Sequence, residues 1–216
     1  MTNKTKVSTL YMLFGIIFTT TLLVSNIAAA KQMAIGPWAL TAGVLCFPIS
    51  YILSDVVAEV YGFKAARRIT FYAFAMNILM VVIFQIAIHW PAPVWFENNE
   101  AFATILGSTP RLLAASMIAY LVGSLVNAKV ISKMKVKMEG KHFGVRAVAS
   151  TIVGELLDSL IFMPLAFGGI IPWDQMPMMI LLQVSAKTLY EIVALPLTGT
   201  IVRKVKTYEE TDVYDR

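Results

Sequence analysis

Residues Ala66–His89 read ARRITFYAFAMNILMVVIFQIAIH: two arginines, then Ile69–Ile88 without a single Asp, Glu, Lys or Arg. A bilayer's hydrocarbon core, about 30 Å thick, is crossed by a helix of about 20 apolar residues, so this stretch predicts a membrane-spanning helix. Working outward, runs of similar length occupy Val7–Ala30, Trp38–Val60, Pro110–Ser132, Arg146–Ile170 and Pro177–Val202. Hydrophobic residues make up 58% of the chain and charged residues 14%, against about 25% charged in a soluble domain. The mean hydropathy is +0.72. The expected class is an all-α integral membrane protein of six transmembrane helices. One transmembrane domain fills residues 1–204, followed by a polar tail over 205–216.

The breaks between runs carry turn chemistry: Gly36-Pro37, Tyr61-Gly62, Trp90-Pro91-Ala92-Pro93, Glu139-Gly140 and Ile171-Pro172. Thr109-Pro110 reads as an N-cap with proline at the first helical position. Basic residues then assign the sides. Lys4 and Lys6 precede the first run; Lys64, Arg67 and Arg68 fill the second loop. Lys133, Lys135, Lys137, Lys141 and Arg146 surround the fourth, and Arg203, Lys204 and Lys206 follow the last run. The alternate loops hold only Lys31 and Arg111, which by the positive-inside rule puts both termini in the cytoplasm of a plasma-membrane protein. Trp38, Trp90, Trp95 and Trp173 gather at the opposite interface, where amphipathic rings prefer to sit. The net charge of +5 is thus a topology signal, and no nucleic-acid partner is expected.

Ala28-Ala29-Ala30 after an apolar run resembles a leader cleavage site, but the run is long for a leader and carries Asn26, so an uncleaved span is expected. Phe96, Phe102, Ile105 and Leu106 predict a short interfacial helix in the third loop, capped near Asn98-Asn99. Cys46 is the only cysteine, and neither His89 nor His142 has a metal-ligand neighbour, so no metal or other cofactor is implied.

Function is read from polar groups inside the spans. Each charge there costs about 2.5–3.5 kcal/mol on insertion scales. Asp55 and Glu59 share one face of the second helix; Glu155 and Asp158 share a face of the fifth, with Thr151 one turn earlier. Gln183, Lys187 and Glu191 make a stripe on the sixth, and Asn26, Asn77 and Asn127 add amides on the first, third and fourth. These stripes must face the bundle interior, because lipid offers no hydrogen-bond partner. Lys187 can pair with one acid as a structural ion pair, but one lysine cannot balance several acids. The remainder must be protonated, hydrated or ligand-bound, and a central polar cluster of this kind suits a transport site.

Pro48, Pro164 and Pro196 fall inside spans, two of them within two turns of an acidic pair. Three helices per half would make the halves antiparallel, a possible 3+3 inverted repeat of the kind common in transporters. Its sequence support is thin: Ser25-Asn26-Ile27-Ala28 beside Ser124-Leu125-Val126-Asn127-Ala128, and the two acidic pairs.

The run Phe47-Pro48-Ile49-Ser50-Tyr51-Ile52-Leu53-Ser54-Asp55-Val56-Val57-Ala58-Glu59-Val60-Tyr61-Gly62 resembles the second helix of the queuosine precursor transporters, the VUT family. Ser25-Asn26, Ala66-Arg67-Arg68, Arg111 with Ala119-Tyr120 and Gly123-Ser124, Ser150-Thr151 with Gly154-Glu155 and Asp158-Ser159, and Lys187 with Pro196 extend the resemblance over nearly the whole chain. It implies import of 7-cyano-7-deazaguanine or 7-aminomethyl-7-deazaguanine, or in some relatives the free base queuine, across the bacterial inner membrane. The small-molecule substrate is then a 7-deazaguanine. A carboxylate can accept the ring N–H and exocyclic amine of a guanine edge together, a role open to Asp55, Glu155 or Asp158. Glu191 or Glu59 could meet an aminomethyl cation. Lys187 or an asparagine could donate to the ring carbonyl, and Tyr51, Phe162 or Tyr190 could stack on the ring. The candidate substrate-binding residues are Asp55, Glu155, Asp158, Lys187, Glu191, Asn26, Asn77, Gln183, Tyr51 and Glu59.

Three other classes compete. A substrate-binding subunit of an energy-coupling-factor-type vitamin importer also has about six helices, and small-residue faces could dock its partner. An acidic interior would serve a proton or ion channel. An intramembrane enzyme is disfavoured, since neither His-Glu-x-x-His nor Gly-x-Ser-x-Gly occurs. Ala114-Ala115 and Gly168-Gly169 permit a homodimer.

Overall fold

A computed structural model describes residues 8–36 and 38–213. Lys4, Lys6 and Val7 lie outside the described residues, as do Pro37 of the first turn and the ring of Trp38. The chain runs α1 (Thr9–Ala28), β1 (Gln32–Ile35), β2 (Trp38–Thr41), a 3₁₀ turn (Ala42–Leu45), α2 (Phe47–Tyr61), α3 (Phe63–His89), α4 (Asn99–Gly107), α5 (Thr109–Lys137), α6 (Phe143–Phe167) and α7 (Met176–Glu209).

The fold is inside-out relative to a water-soluble bundle. Asn77, Glu155 and Gln183 are buried, while Leu79, Ile83 and Ile86 on α3, Leu156 and Leu160 on α6 and Leu189, Val193 and Leu197 on α7 point outward. Apolar groups outside and polar groups inside minimise free energy when the surroundings are hydrocarbon. Among the described residues, five helical stretches, α1, α3, α4–α5, α6 and α7, are long and apolar enough to cross a membrane. The protein is therefore an all-α membrane protein apart from one small hairpin.

That hairpin corrects the expected second span. Trp38–Val60 is not one helix: β2 pairs with β1 in the register Gln32↔Thr41 to Ile35↔Trp38, a 3₁₀ turn follows, and α2 has only 15 residues. Pro48 therefore sits in the first turn of α2, where its missing N–H breaks no hydrogen bond, rather than kinking a span. A helix this short rises about 22 Å. It is buried on nearly all sides, with Asp55 through Val60 all inside the bundle. Its neighbours, more than its own length, hold it in place.

Local chemistry sets the ends. The Ser8 hydroxyl accepts from the Leu10 and Tyr11 amides at 3.1 and 3.3 Å and caps α1. Gly62 alone separates α2 from α3; its φ of 85° is a left-handed conformation that makes so tight a reversal possible. α4 forms where the sequence places it, behind Asn98. The cap of α5 is Ser108 rather than Thr109, whose hydroxyl bonds back to the Leu106 carbonyl. Pro164 and Pro196 do lie inside helices. α7 continues to Glu209, past the expected end at Val202, because Val202 and Val205 are buried against the bundle.

The helices pack most closely where α5 crosses α6. A Cβ on Gly123 would lie 2.8 Å from the Gly154 carbonyl oxygen, and one on Gly154 would lie 2.9 Å from Asn127 Cβ. Small residues let two backbones meet in this way. The contact presses Asn127 of α5 against the α6 face that carries Glu155 and Asp158. Of the small-residue patches, Ala115 is buried within the bundle while Ala114 and Gly169 are exposed.

Candidate functional site

Helix periodicity brings the acidic face of α6 opposite the polar stripe of α7. Lys187 Nζ lies 2.6 Å from a Glu155 carboxylate oxygen and 2.9 Å from Asp158 Oδ2, all three side chains being nearly fully buried. The lysine therefore bridges two acids rather than pairing with one. Its ammonium also sits 5.7 Å from the centroid of the Tyr51 ring on α2, a cation–π contact, and Tyr51 lies beside Glu155. Tyr51 packs against Tyr120 of α5 at 6.3 Å between centroids, and Phe18 and Phe74 pack on the other sides of Tyr120 at 6.0 and 5.6 Å. The result is a charged centre walled by aromatic rings. Gln183, one turn from Lys187, is buried with no partner for its Nε2 among the described residues.

One turn further along α2 and α7, Asp55 and Glu191 meet. Asn127 Nδ2 donates to Asp55 Oδ1 at 3.2 Å, and Thr151 stands beside Glu191. Asn26 and Asn77 pair with each other, Nδ2 to Oδ1 at 2.6 Å, and Asn77 also donates to the Ala73 carbonyl. Lys187 thus holds Glu155 and Asp158, while Asp55 and Glu191 form a second acidic pair one helical turn away.

Two small crevices flank the centre. One, of about 10 Å³, is lined by Tyr51, Asp55, Lys187, Tyr190, Glu191 and Thr198. The other, of about 20 Å³, is lined by Ser25, Asn26, Thr41, Tyr120, Asp158 and Phe162. Each has room for about one water-sized sphere. Tyr51 and Lys187 bound the first, Tyr120 and Asp158 the second, so the same cluster closes both.

Glu59 is not brought to this centre. It takes Arg146 Nη1 at 2.8 Å, Lys206 Nζ at 2.9 Å and Lys135 Nζ at 3.8 Å. Lys135 and Lys206 also hold Asp212 at 2.6 and 3.0 Å, and the Val213 amide bonds to the Val60 carbonyl at 3.1 Å. This network ties α2, α5, α6, α7 and the segment after α7 at one end of the bundle. Burial pushes the Asp212 carboxyl up, but its hydrogen bonds to Lys135 and Lys206 outweigh this and hold it below the usual carboxylate value. The expected loose tail is, through Val213, part of the fold.

Sequence reasoning missed the buried roles of Arg146, Lys135 and Lys206, which it read as loop charges. It also left Tyr120 out of the site. Tyr120, Ser124 and Asn127 share one face of α5 at spacings of four and three, which was the available signal. Phe162, expected as a stacking ring, lines the crevice beside Asp158 and packs edge-on against Phe167 at 5.7 Å.

The profile of the family described as "Putative vitamin uptake transporter" matches residues 41–201. The chain is 24% identical over 151 residues to the "Probable queuosine precursor transporter" of Bacillus subtilis (strain 168), covering 69% of this chain and 66% of that protein. It is 23% identical over 143 residues to the "Queuosine precursor transporter" of Escherichia coli (strain K12), covering 66% and 62%. A Haemophilus influenzae protein with the same name as the Bacillus one is 24% identical over 127 residues, covering 59% and 52%. The chain thus spans between about half and two thirds of these relatives' lengths. No solved structure matches it.

Proposed function

Because this chain belongs to the vitamin uptake transporter family, which includes the queuosine precursor transporters, we propose that it imports 7-deazaguanine precursors of queuosine across the plasma membrane. The family is one of transporters, so the chain is not an enzyme. Substrates in this reading are 7-cyano-7-deazaguanine and 7-aminomethyl-7-deazaguanine.

The observation that carries the reading is Lys187 held between Glu155 and Asp158 beneath Tyr51. A guanine edge presents a ring N–H and an exocyclic amine side by side, and a carboxylate accepts both in a bidentate, charge-assisted pair. The ligand would displace the ammonium from one acid, Asp158 by preference, and Lys187 would turn to donate to the ring carbonyl. Tyr51 and Tyr120 would stack on the flat ring. Asn26, which lines the second crevice, its partner Asn77 and Gln183 would read the remaining edges. In the present conformation the crevices are too small for a fused bicyclic ring, so entry requires the helices to part on one side of the aromatic wall and then the other.

Topology follows the positive-inside rule, with six crossings in one domain and both ends cytoplasmic. The 3₁₀ turn and α2 together rise about 30 Å and make the second crossing as a broken element. The 3+3 repeat and a homodimer through exposed Ala114 and Gly169 belong to the same reading.

The test is uptake in a bacterial host that cannot make 7-deazaguanines and lacks its own importer. With this chain expressed and a precursor supplied, queuosine should appear in tRNA as a mobility shift. No shift, with the protein present in the membrane, would overturn the substrate.

A further inference from the structure

A groove of about 500 Å³ opens on the outside of the bundle between α1 and α3. It shares no lining residue with the crevices beside Lys187. Met12, Ile16, Ile69 and Met76 make its walls apolar, and Thr19 and Thr20 line it further in. Gly15 leaves one wall bare: a Cβ there would reach to 3.7 Å from the Ile69 side chain. Further along, the same two helices close on each other at the Asn26–Asn77 hydrogen bond of 2.6 Å. The groove is therefore a local parting of α1 from α3, open to the surrounding hydrocarbon.

Its mouth is basic. Arg68 and Tyr72, one turn apart on α3, and Tyr11 on α1 line the end nearest the start of both helices. Arg68 makes no ion pair among the described residues, and no Asp or Glu lines the groove. Lys64 and Arg67 stand in the same first turns of α3. The uncharged run from Ile69 to Ile88 rises about 30 Å and fills the hydrocarbon core by itself. Arg68 thus stands at the edge of the core, level with lipid phosphates. A guanidinium matches phosphate oxygens in a bidentate pair, and basic pockets between membrane helices hold anionic headgroups. Charge argues against cover by this chain's own first residues, which carry Lys4 and Lys6 and no acid. We propose that the groove binds an anionic phospholipid, one acyl chain lying between α1 and α3 and the phosphate meeting Arg68. Such a lipid would fill the parting between the two helices and fix their spacing at that end. The site is independent of the cargo; its assignment to the cytoplasmic leaflet rests on the topology proposed above.

Purified protein in detergent is titrated with dioleoylphosphatidylglycerol or dioleoylphosphatidylcholine, which differ in headgroup charge and not in chains. Native mass spectrometry counts the bound lipid. Saturable retention of phosphatidylglycerol over phosphatidylcholine is expected, weakening in high salt. Arg68→Gln should weaken phosphatidylglycerol binding by about fivefold, the change that ~1 kcal/mol from one basic residue near an anionic surface implies. Arg67→Gln should not, since Arg67 does not line the groove and sits over the Phe63 ring, 5.8 Å from its centroid. Gly15→Leu, which fills the groove and leaves Arg68 in place, should weaken retention of both lipids. Should that variant fail to fold, the contrast between the two arginines decides, because both side chains are exposed and neither is ion-paired among the described residues. Equal retention of the two lipids by wild type would overturn the site. So would equal losses in Arg67→Gln and Arg68→Gln, which would mean diffuse attraction to a basic surface. Neither result bears on uptake, so the transporter reading stands or falls separately.

Discussion

Replacing Lys187 with methionine isolates what the central cluster costs and what it does. The lysine is the only basic group ion-paired to Glu155 and Asp158 among the described residues, at 2.6 and 2.9 Å, and both acids are nearly fully buried. Removing one member of a buried ion pair costs about 3–5 kcal/mol, because the charge left behind has neither partner nor water. For a chain of this length each kcal/mol lowers the melting temperature by about 2–4 °C, so Lys187→Met should melt roughly 6–20 °C below wild type. Neutralising the abandoned acids in the same chain, as Lys187→Met/Glu155→Gln/Asp158→Asn, should recover most of that loss. Fluorescence-detected thermal melting in detergent reads both variants, and cell uptake reads function. The triple variant should be stable and inactive. A single variant that melts like wild type would refute the ion-pair energetics, and an active triple variant would refute the site.

The end network gives a second prediction. Glu59→Gln abandons Arg146, which is wholly buried, together with Lys206, and should destabilise the fold by about 3–5 kcal/mol, measured by the same melting assay. It should also expose the Thr211–Val213 segment to limited proteolysis. Asp212 gives a pH dependence. Its carboxyl is held below the usual value in the folded protein, so its contribution is present above the ordinary carboxylate value and is lost as pH falls through the lowered one. Melting temperature should drop over that acidic window, and Asp212→Asn should flatten the drop. The side chain is 39% exposed, so the effect should be small and should shrink in high salt. Gly154→Leu should collide with Asn127 and the Gly123 carbonyl and cost about 1–3 kcal/mol or more, read as loss of monodisperse protein on size exclusion.

The membrane class was legible because hydropathy accumulates over about 20 residues, and the long helices α3, α5, α6 and α7 answer to that signal. The buried polar cluster was legible for a related reason. Glu155 with Asp158, and Lys187 with Glu191, recur at helical spacing, and buried charge must find a partner. The hairpin was not legible, since Trp38–Leu45 is an apolar run too short for periodicity to separate strand from helix. Which faces meet was also hidden. Glu59 lies only four residues from Asp55, yet it joins Arg146, Lys135 and Lys206 because those charges come from three other helices. Asn26 finding Asn77 depended likewise on how α1 docks against α3.

The most direct test of the account uses proteoliposomes containing only this chain, loaded with no nucleotide, and a labelled 7-deazaguanine outside. Wild-type protein should accumulate the label, and Asp158→Asn, reconstituted to the same level and with the same oligomeric profile, should not. Equal accumulation by the two proteins, or none by folded wild type under any ion gradient, would contradict the claim that the Lys187-bridged acids hold the cargo.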